Sequence, residues 1–256
     1  MNYGIAHMSI IPMRAEASDK SEMVNQLLFG EHYKLIEKKA KWFKIRLAHD
    51  DYEGWISYNQ YFEIDKKDFT KLSDQSIHFN FNLIDAITSD KGDIIPVVLG
   101  SVLPFYDGKS CFIKDDLFHF EEAQLAVNKS KSDIVNTAYM YLHTPYLWGG
   151  RTPMGVDCSG FTQMVYRLNG KHIPRDASQQ VDLGVTLSFI EEAESGDLAF
   201  FDDAEGNIIH VGIILENNHI IHASGKVRID RIDQQGIFNK DLGEHTHKLR
   251  IIKKVL

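Results

Sequence analysis

A cysteine set between a glycine-rich turn and the first turn of a helix is the residue of this chain best placed for chemistry. It lies in Asp157-Cys158-Ser159-Gly160-Phe161, shortly after Tyr146-Leu147-Trp148-Gly149-Gly150. Phe161, Met164, Val165 and Leu168 recur at helical spacing and stop at Asn169-Gly170, which puts Cys158 at the helix N-terminus. Unpaired backbone amides and the macrodipole favour negative charge there, so a thiol of ordinary pKa ~8.5 is expected to fall to where its anion is populated at neutral pH. Cys158 is the candidate nucleophile. Cys111, in the apolar run Ser110-Cys111-Phe112-Ile113, reads as core.

A thiol nucleophile needs a proton acceptor that later returns the proton to the leaving group, and imidazole titrates in the right range. Of the twelve histidines, His210 has a positional claim: it follows the polar turn Asp202-Asp203-Ala204-Glu205-Gly206-Asn207 and opens an apolar strand. A hairpin through Glu216-Asn217-Asn218 would bring His222 to the same face, where it can orient the His210 ring. His219, an odd number of positions from His222, should face the other way.

The elements that must hold these residues change character along the chain. Met23–Glu31, Tyr33–Glu37 and Trp42–Leu47 read as short strands, and Gly54-Trp55-Ile56 closes the series. Gly30, Trp42 and Gly54-Trp55 are arranged as in bacterial SH3-type domains, a resemblance that covers residues 5 to 64. A second strand-rich stretch over residues 77 to 120, including Ile94-Ile95-Pro96-Val97-Val98, suggests another, degenerate barrel. From Ser132 the pattern turns helical, with Ile134, Ala138, Tyr141 and Leu142 on one face. After the cysteine helix come strand-like runs at Gly196–Phe201, His210–Leu215 and His219–Ala223. The fold class expected is α+β, with domains at residues 1–66, 67–125 and 126–256.

Together, Tyr146–Gly150, Asp157–Phe161, Gly196-Asp197-Leu198, His210-Val211-Gly212-Ile213 and Ile221-His222-Ala223 resemble the NlpC-type cell-wall peptidases over residues 126 to 256. That resemblance implies a papain-like C-terminal domain behind one or two SH3-like barrels. It implies a cysteine peptidase acting on the γ-D-glutamyl bond of murein stem peptides, with no metal or organic cofactor. By matching position, Cys158 would be the nucleophile, His210 the base and then acid, His222 its orienting partner, and Tyr146 a hydroxyl near the oxyanion. Members with SH3-like domains recognise a free amino-terminal L-alanine through the acid before the cysteine, which matches Asp157; the same residue type also serves as an N-cap. Ser159 would add a hydrogen bond to the substrate, and Arg175 and Ser178, in Pro174–Gln180, would reach a substrate carboxylate.

Composition narrows the alternatives. Hydrophobic residues make up 43% of 256 residues, enough for more than one core, and the net charge of -8 argues against a nucleic-acid surface. Two cysteines in different segments make no disulfide framework. The start, Met1-Asn2-Tyr3-Gly4-Ile5, lacks the features of a signal peptide, and no run has the ~18 apolar residues of a membrane span, so a cytoplasmic location is expected. Competing readings are a non-catalytic peptide-binding module, a papain-like amidase or acyltransferase, and a zinc site formed by Cys158, His210 and His222.

Overall fold

Alternation of apolar and polar residues, interrupted by glycine and asparagine turns, makes most of this chain sheet. The computed structural model describes residues 2–126 and 130–255. These form two units, Met1–Ala126 with Trp148–Thr152, and Val127–Leu147 with Pro153–Leu256. The junction expected at 125/126 adjoins residues 127–129, which lie outside the described residues.

In the first unit, a seven-stranded antiparallel sheet contains the anticipated strands Met23–Leu28, His32–Lys39, Trp42–Leu47 and Glu53–Ser57. It also contains Asn2–Ile5 and Ile10–Arg14, which are too short for their pattern to stand out in sequence. Residues 84–119 supply a separate four-stranded sheet in which Ile94–Val98 is an edge strand. That edge position accommodates Pro96, which has no backbone N–H to donate. The two sheets share a core: Ile5, Phe29 and Ile64 pack in one cluster with Ile87, Val97, Cys111 and Phe118. The helix Lys66–Asp74 crosses the expected 66/67 boundary and buries Phe69 and Leu72 in that cluster.

Trp148–Thr152 belongs to this unit rather than to the 126–256 domain in which the sequence places it. Gly149 has φ +74°, and a Cβ there would come within 2.4 Å of the Met23 carbonyl oxygen, so only glycine fits. The Trp148 indole N–H donates to Glu22. Arg151 is fully buried; its guanidinium forms a bidentate pair with Glu31 at 3.0 Å on both arms and donates to the Gln26 carbonyl at 2.7 Å.

The second unit begins with the helix Lys131–Met140, whose Ser130 and Asp133 form a capping box. The cysteine helix, Cys158–Leu168, is buried along its whole length and ends at Asn169, followed by Gly170 at φ +75°. Seven antiparallel strands follow, with Leu198–Asp202, Ile208–Leu215, His219–Ser224 and Lys226–Ile232 adjacent in that order. The last strand, Glu244–Lys254, pairs with both Leu198–Asp202 and Gly236–Asn239, so the sheet closes on itself. This unit is therefore mainly sheet with few helices. Gly196-Asp197-Leu198 ties its start to its sheet: buried Asp197 accepts from Lys131 Nζ at 2.6 Å, and Gly196 O from the Tyr166 hydroxyl at 2.5 Å.

The hairpin turn through Glu216-Asn217-Asn218 uses positive φ at both asparagines, 56° and 55°, the conformation that asparagine tolerates best among non-glycine residues. Its register sets Gly212 opposite His222. A Cβ on Gly212 would meet the His222 Cβ and the Ile220 side chain at 2.8 Å, so the bare backbone lets His222 close down.

Two outcomes follow from this packing. Glu31→Gln removes the carboxylate that takes both arms of the buried Arg151 guanidinium, a charge that Asp50 also feels, and is expected to destabilise the first unit by about 3 kcal/mol. All three tryptophans lie in that unit, so urea unfolding followed by tryptophan fluorescence checks it. Gly212→Ala is expected to cost the second unit about 1–3 kcal/mol through overpacking, read by hydrogen exchange at Gly212-Ile213-Ile214.

Candidate active site

Cys158 is the first residue of its helix, capped by Asp157, whose Oδ1 accepts from Gly160 N at 2.6 Å. The backbone N–H groups of Val211, the residue after His210, and of Ser159 favour the anionic form of the sulfur. Cysteine and histidine are thus brought to one place by the packing of this helix on the Ile208–Leu215 strand.

His210 and His222 meet as the hairpin register requires. His210 Nε2 lies 2.8 Å from His222 Nδ1, both residues are buried, and the rings are edge-on at 84°. The chain of contacts continues beyond what the sequence suggested. His222 Nε2 is 3.0 Å from Asp230 Oδ2, and Asp230 Oδ1 accepts from Arg228 NH2 at 2.8 Å. His247 lies against the other side of the pair, its ring centroid 4.3 Å from that of His210 at 31°, and Phe201 closes the cluster at 5.7 Å. Neither Asp230 nor His247 was anticipated. The alternation Val227-Arg228-Ile229-Asp230 marks a strand, but nothing local indicates which histidine its carboxylate meets.

Burial governs the electrostatics. It lowers His210 well below 6.5, and the neighbouring His222 and His247 rings push in the same direction. Burial also lowers His222, against the opposing pull of the Asp230 hydrogen bond, and brings His247 to about 4. Cys158 is pushed up to about 12, first by burial and then by Asp157; the Val211 amide, Arg175 and the Ser159 amide offset only part of this. Burial therefore opposes the thiolate that the helix terminus favours. The helix terminus does stabilise the anion, but its benefit is a fraction of what removing a thiolate from water costs.

Tyr146 is half-buried beside this group; burial, then the charges of Cys158 and Asp157, raise its phenol. Its backbone donates to Gly225 O at 3.0 Å, which fixes where the side chain starts. Asp157 receives Arg175 on both oxygens, NH1 at 3.0 Å and NH2 at 2.5 Å, and Arg175 NH1 also reaches Ser159 Oγ at 2.9 Å. Arg175 is buried and turned toward Asp157, and Ser178 stands exposed on the short helix Ala177–Gln180. Among the described residues no group of three or more His, Cys, Asp or Glu is arranged to hold a metal ion, and no helix is long and apolar enough to cross a membrane.

Comparison with known proteins agrees with this arrangement. Residues 143–245 match the NlpC/P60 family, and residues 13–60 match the bacterial dipeptidyl-peptidase SH3 domain. A γ-D-glutamyl-L-lysine dipeptidyl-peptidase of Bacillus cereus is 27% identical over 80% of this chain and 68% of its own length. Dipeptidyl-peptidase 6 of Lysinibacillus sphaericus is 28% identical over 89% of this chain and 91% of its own. The crystal structure of an NlpC/P60 family protein from Bacillus cereus superposes with a TM-score of 0.84, covering 99% of each chain at 19% identity. A buried cysteine at a helix start, a histidine pair on adjoining strands and these matches lead to one assignment: the chain carries an NlpC/P60 domain over residues 143–245 behind a bacterial SH3 domain over residues 13–60.

Proposed function

We propose that the protein is a cysteine peptidase that hydrolyses the γ-D-glutamyl bond to the diamino acid of murein peptides, with a preference for short peptides bearing a free amino-terminal L-alanine. The observation that carries this reading is the His210–His222 hydrogen bond of 2.8 Å beside a sulfur held by the Val211 amide. The dipeptidyl-peptidase names of its relatives support the choice of bond. On this reading the second unit is a papain-like core of α+β type, and the substrates are peptides already released from the wall and recycled in the cytoplasm.

With His210 Nε2 engaged by His222, Nδ1 is the nitrogen left to serve the thiol. Resting cysteine and histidine are both neutral, so the proton moves from Cys158 Sγ to His210 Nδ1 as the sulfur attacks the γ-carbonyl. The backbone N–H of Cys158 and the Tyr146 hydroxyl are the proposed donors to the oxyanion, where a missing donor commonly costs on the order of 10²-fold in rate. The tetrahedral adduct collapses as His210 protonates the departing amine, leaving a thioester on Cys158. Water, deprotonated by His210, then hydrolyses it and regenerates the thiol.

Asp157 is the proposed ligand of the substrate ammonium. Its ion pair with Arg175 and its bond to Gly160 N would hold the carboxylate in place without a loop having to close on it. Arg175 then acts on substrate through Asp157.

Incubation with L-Ala-γ-D-Glu-diaminopimelate, its lysine counterpart and N-acetylated analogues, with products identified by mass spectrometry, tests the reading. Release of L-Ala-γ-D-Glu only from the free-amine peptides is expected. Equal cleavage of the blocked peptides removes the amine preference, and binding without cleavage leaves a peptide-binding module instead.

The neutral resting pair has its own signature. Alkylation of Cys158 by iodoacetamide, followed by peptide mapping, is expected to rise about tenfold per pH unit from pH 7 to 9, without a plateau at neutrality. Because His210 is lowered below 6.5, it stays a competent base until pH falls through that lowered value. The acid limb of kcat/KM is accordingly expected below pH 6.5; a limb above it would mean that His210 is not lowered.

A further inference from the structure

Asp230 is buried at 5% exposure beside two imidazoles whose burial disfavours their charged forms. Its place is set by register. On the paired strands Arg228 stands opposite His222 and Asp230 opposite Ile220, so the acid lies diagonally beside His222 on the same face. Its Oδ2 is 3.0 Å from His222 Nε2. Arg228 holds the carboxylate from the far side: NH2 donates to Oδ1 at 2.8 Å, and Nε approaches Oδ2 at 2.6 Å as an ion pair without hydrogen-bond alignment. Arg228 is held in turn by Asn239 at 3.2 Å and Asp241 at 2.9 Å.

A carboxylate can only accept, and that simple fact propagates. The proton of neutral His222 must be on Nε2, facing Asp230. Its Nδ1 then offers a lone pair, which requires His210 Nε2 to be the donor across the 2.8 Å contact. A neutral His210 with its proton on Nε2 has an open lone pair on Nδ1, the nitrogen left for the thiol. We infer that Asp230, clamped by Arg228, is a positioning residue that selects the tautomer of both imidazoles and so makes His210 a base toward Cys158. This rests on the peptidase reading only for its kinetic consequence; the tautomers are a property of the resting protein.

Asp230→Asn keeps the shape and reverses the logic. Arg228 NH2, the aligned donor, takes the amide oxygen at the Oδ1 position, and Nε, which is not aligned to donate at the Oδ2 position, can turn aside, so the amide nitrogen faces His222 and donates to Nε2. The proton of His222 moves to Nδ1, His210 Nε2 becomes the acceptor, and the His210 proton moves to Nδ1, where it blocks proton removal from sulfur.

The test is 15N NMR of histidine-labelled protein with turnover of L-Ala-γ-D-Glu-diaminopimelate. In the parent, His210 and His222 are expected to be protonated on Nε2. In Asp230→Asn both are expected to switch to Nδ1, with kcat reduced about 100-fold or more, KM within about twofold and the thermal transition near that of the parent. Nδ1-protonated rings in the parent, or Asp230→Asn with unchanged tautomers, would overturn the inference, and the parent spectrum decides it even if the variant does not fold. A tautomer switch in a protein that cleaves no murein peptide upholds the inference and sinks the substrate reading. Full turnover in a variant with switched rings sinks the kinetic role of Asp230 and leaves the peptidase reading standing.

Discussion

Everything at this site depends on one hydrogen bond between two imidazoles that have no water to fall back on. A buried ring nitrogen without a partner costs about 1–3 kcal/mol, so each nitrogen of His210 and His222 must be given a neighbour of the right polarity. The sheet does this by register: Gly212 opposite His222 removes the Cβ that would hold the strands' side chains apart, and the ring closes onto His210 at 2.8 Å. The same dryness sets the protonation states. It raises the thiol and lowers the imidazole, and so works against charge on either group.

Much of this was legible in sequence because it follows short periods. The cysteine helix shows its apolar stripe and its Asn169-Gly170 stop, and the histidine hairpin shows its alternation and its asparagine turn; the structure has both where the pattern puts them. What was not legible depends on partners distant in the chain. His247 reaches His210 from the last strand, and Asp230 gains its meaning only from the pairing of Lys226–Ile232 beside His222. The thiol's surroundings show the same division. A helix terminus is a local feature that can be seen in sequence, whereas desolvation is set by what the fold packs around the sulfur.

The first unit shows the same division. Its Gly-Trp and strand signals gave the barrel, but the 66/67 boundary fails to mark two cores because the Lys66–Asp74 helix places Phe69 and Leu72 into a cluster fed by both halves. Trp148-Gly149-Gly150 reads in sequence as a turn leading to the cysteine. In the folded chain its glycine accommodates the Met23 carbonyl, and the Arg151 that follows is neutralised by Glu31 with both side chains at 0% exposure. A motif found beside a nucleophile therefore need not be part of its chemistry.

A site whose burial opposes charge changes what the surrounding charges must do. On the proposed mechanism, charge develops while sulfur attacks and His210 takes the proton, and it is then that it needs stabilising. Stabilisation is then most effective if it is already in place before the charge develops. Two buried ion pairs fit that requirement from opposite sides. Asp157–Arg175 lies beside the sulfur, and Arg228–Asp230 lies beyond His222, so the developing imidazolium would be shared through His222 toward a carboxylate whose own counter-ion is fixed. Because each acid is held by an arginine rather than left free, neither can swing in to take the proton itself. On the proposed mechanism that leaves His210 to take the proton from Cys158 and to pass it to the leaving amine.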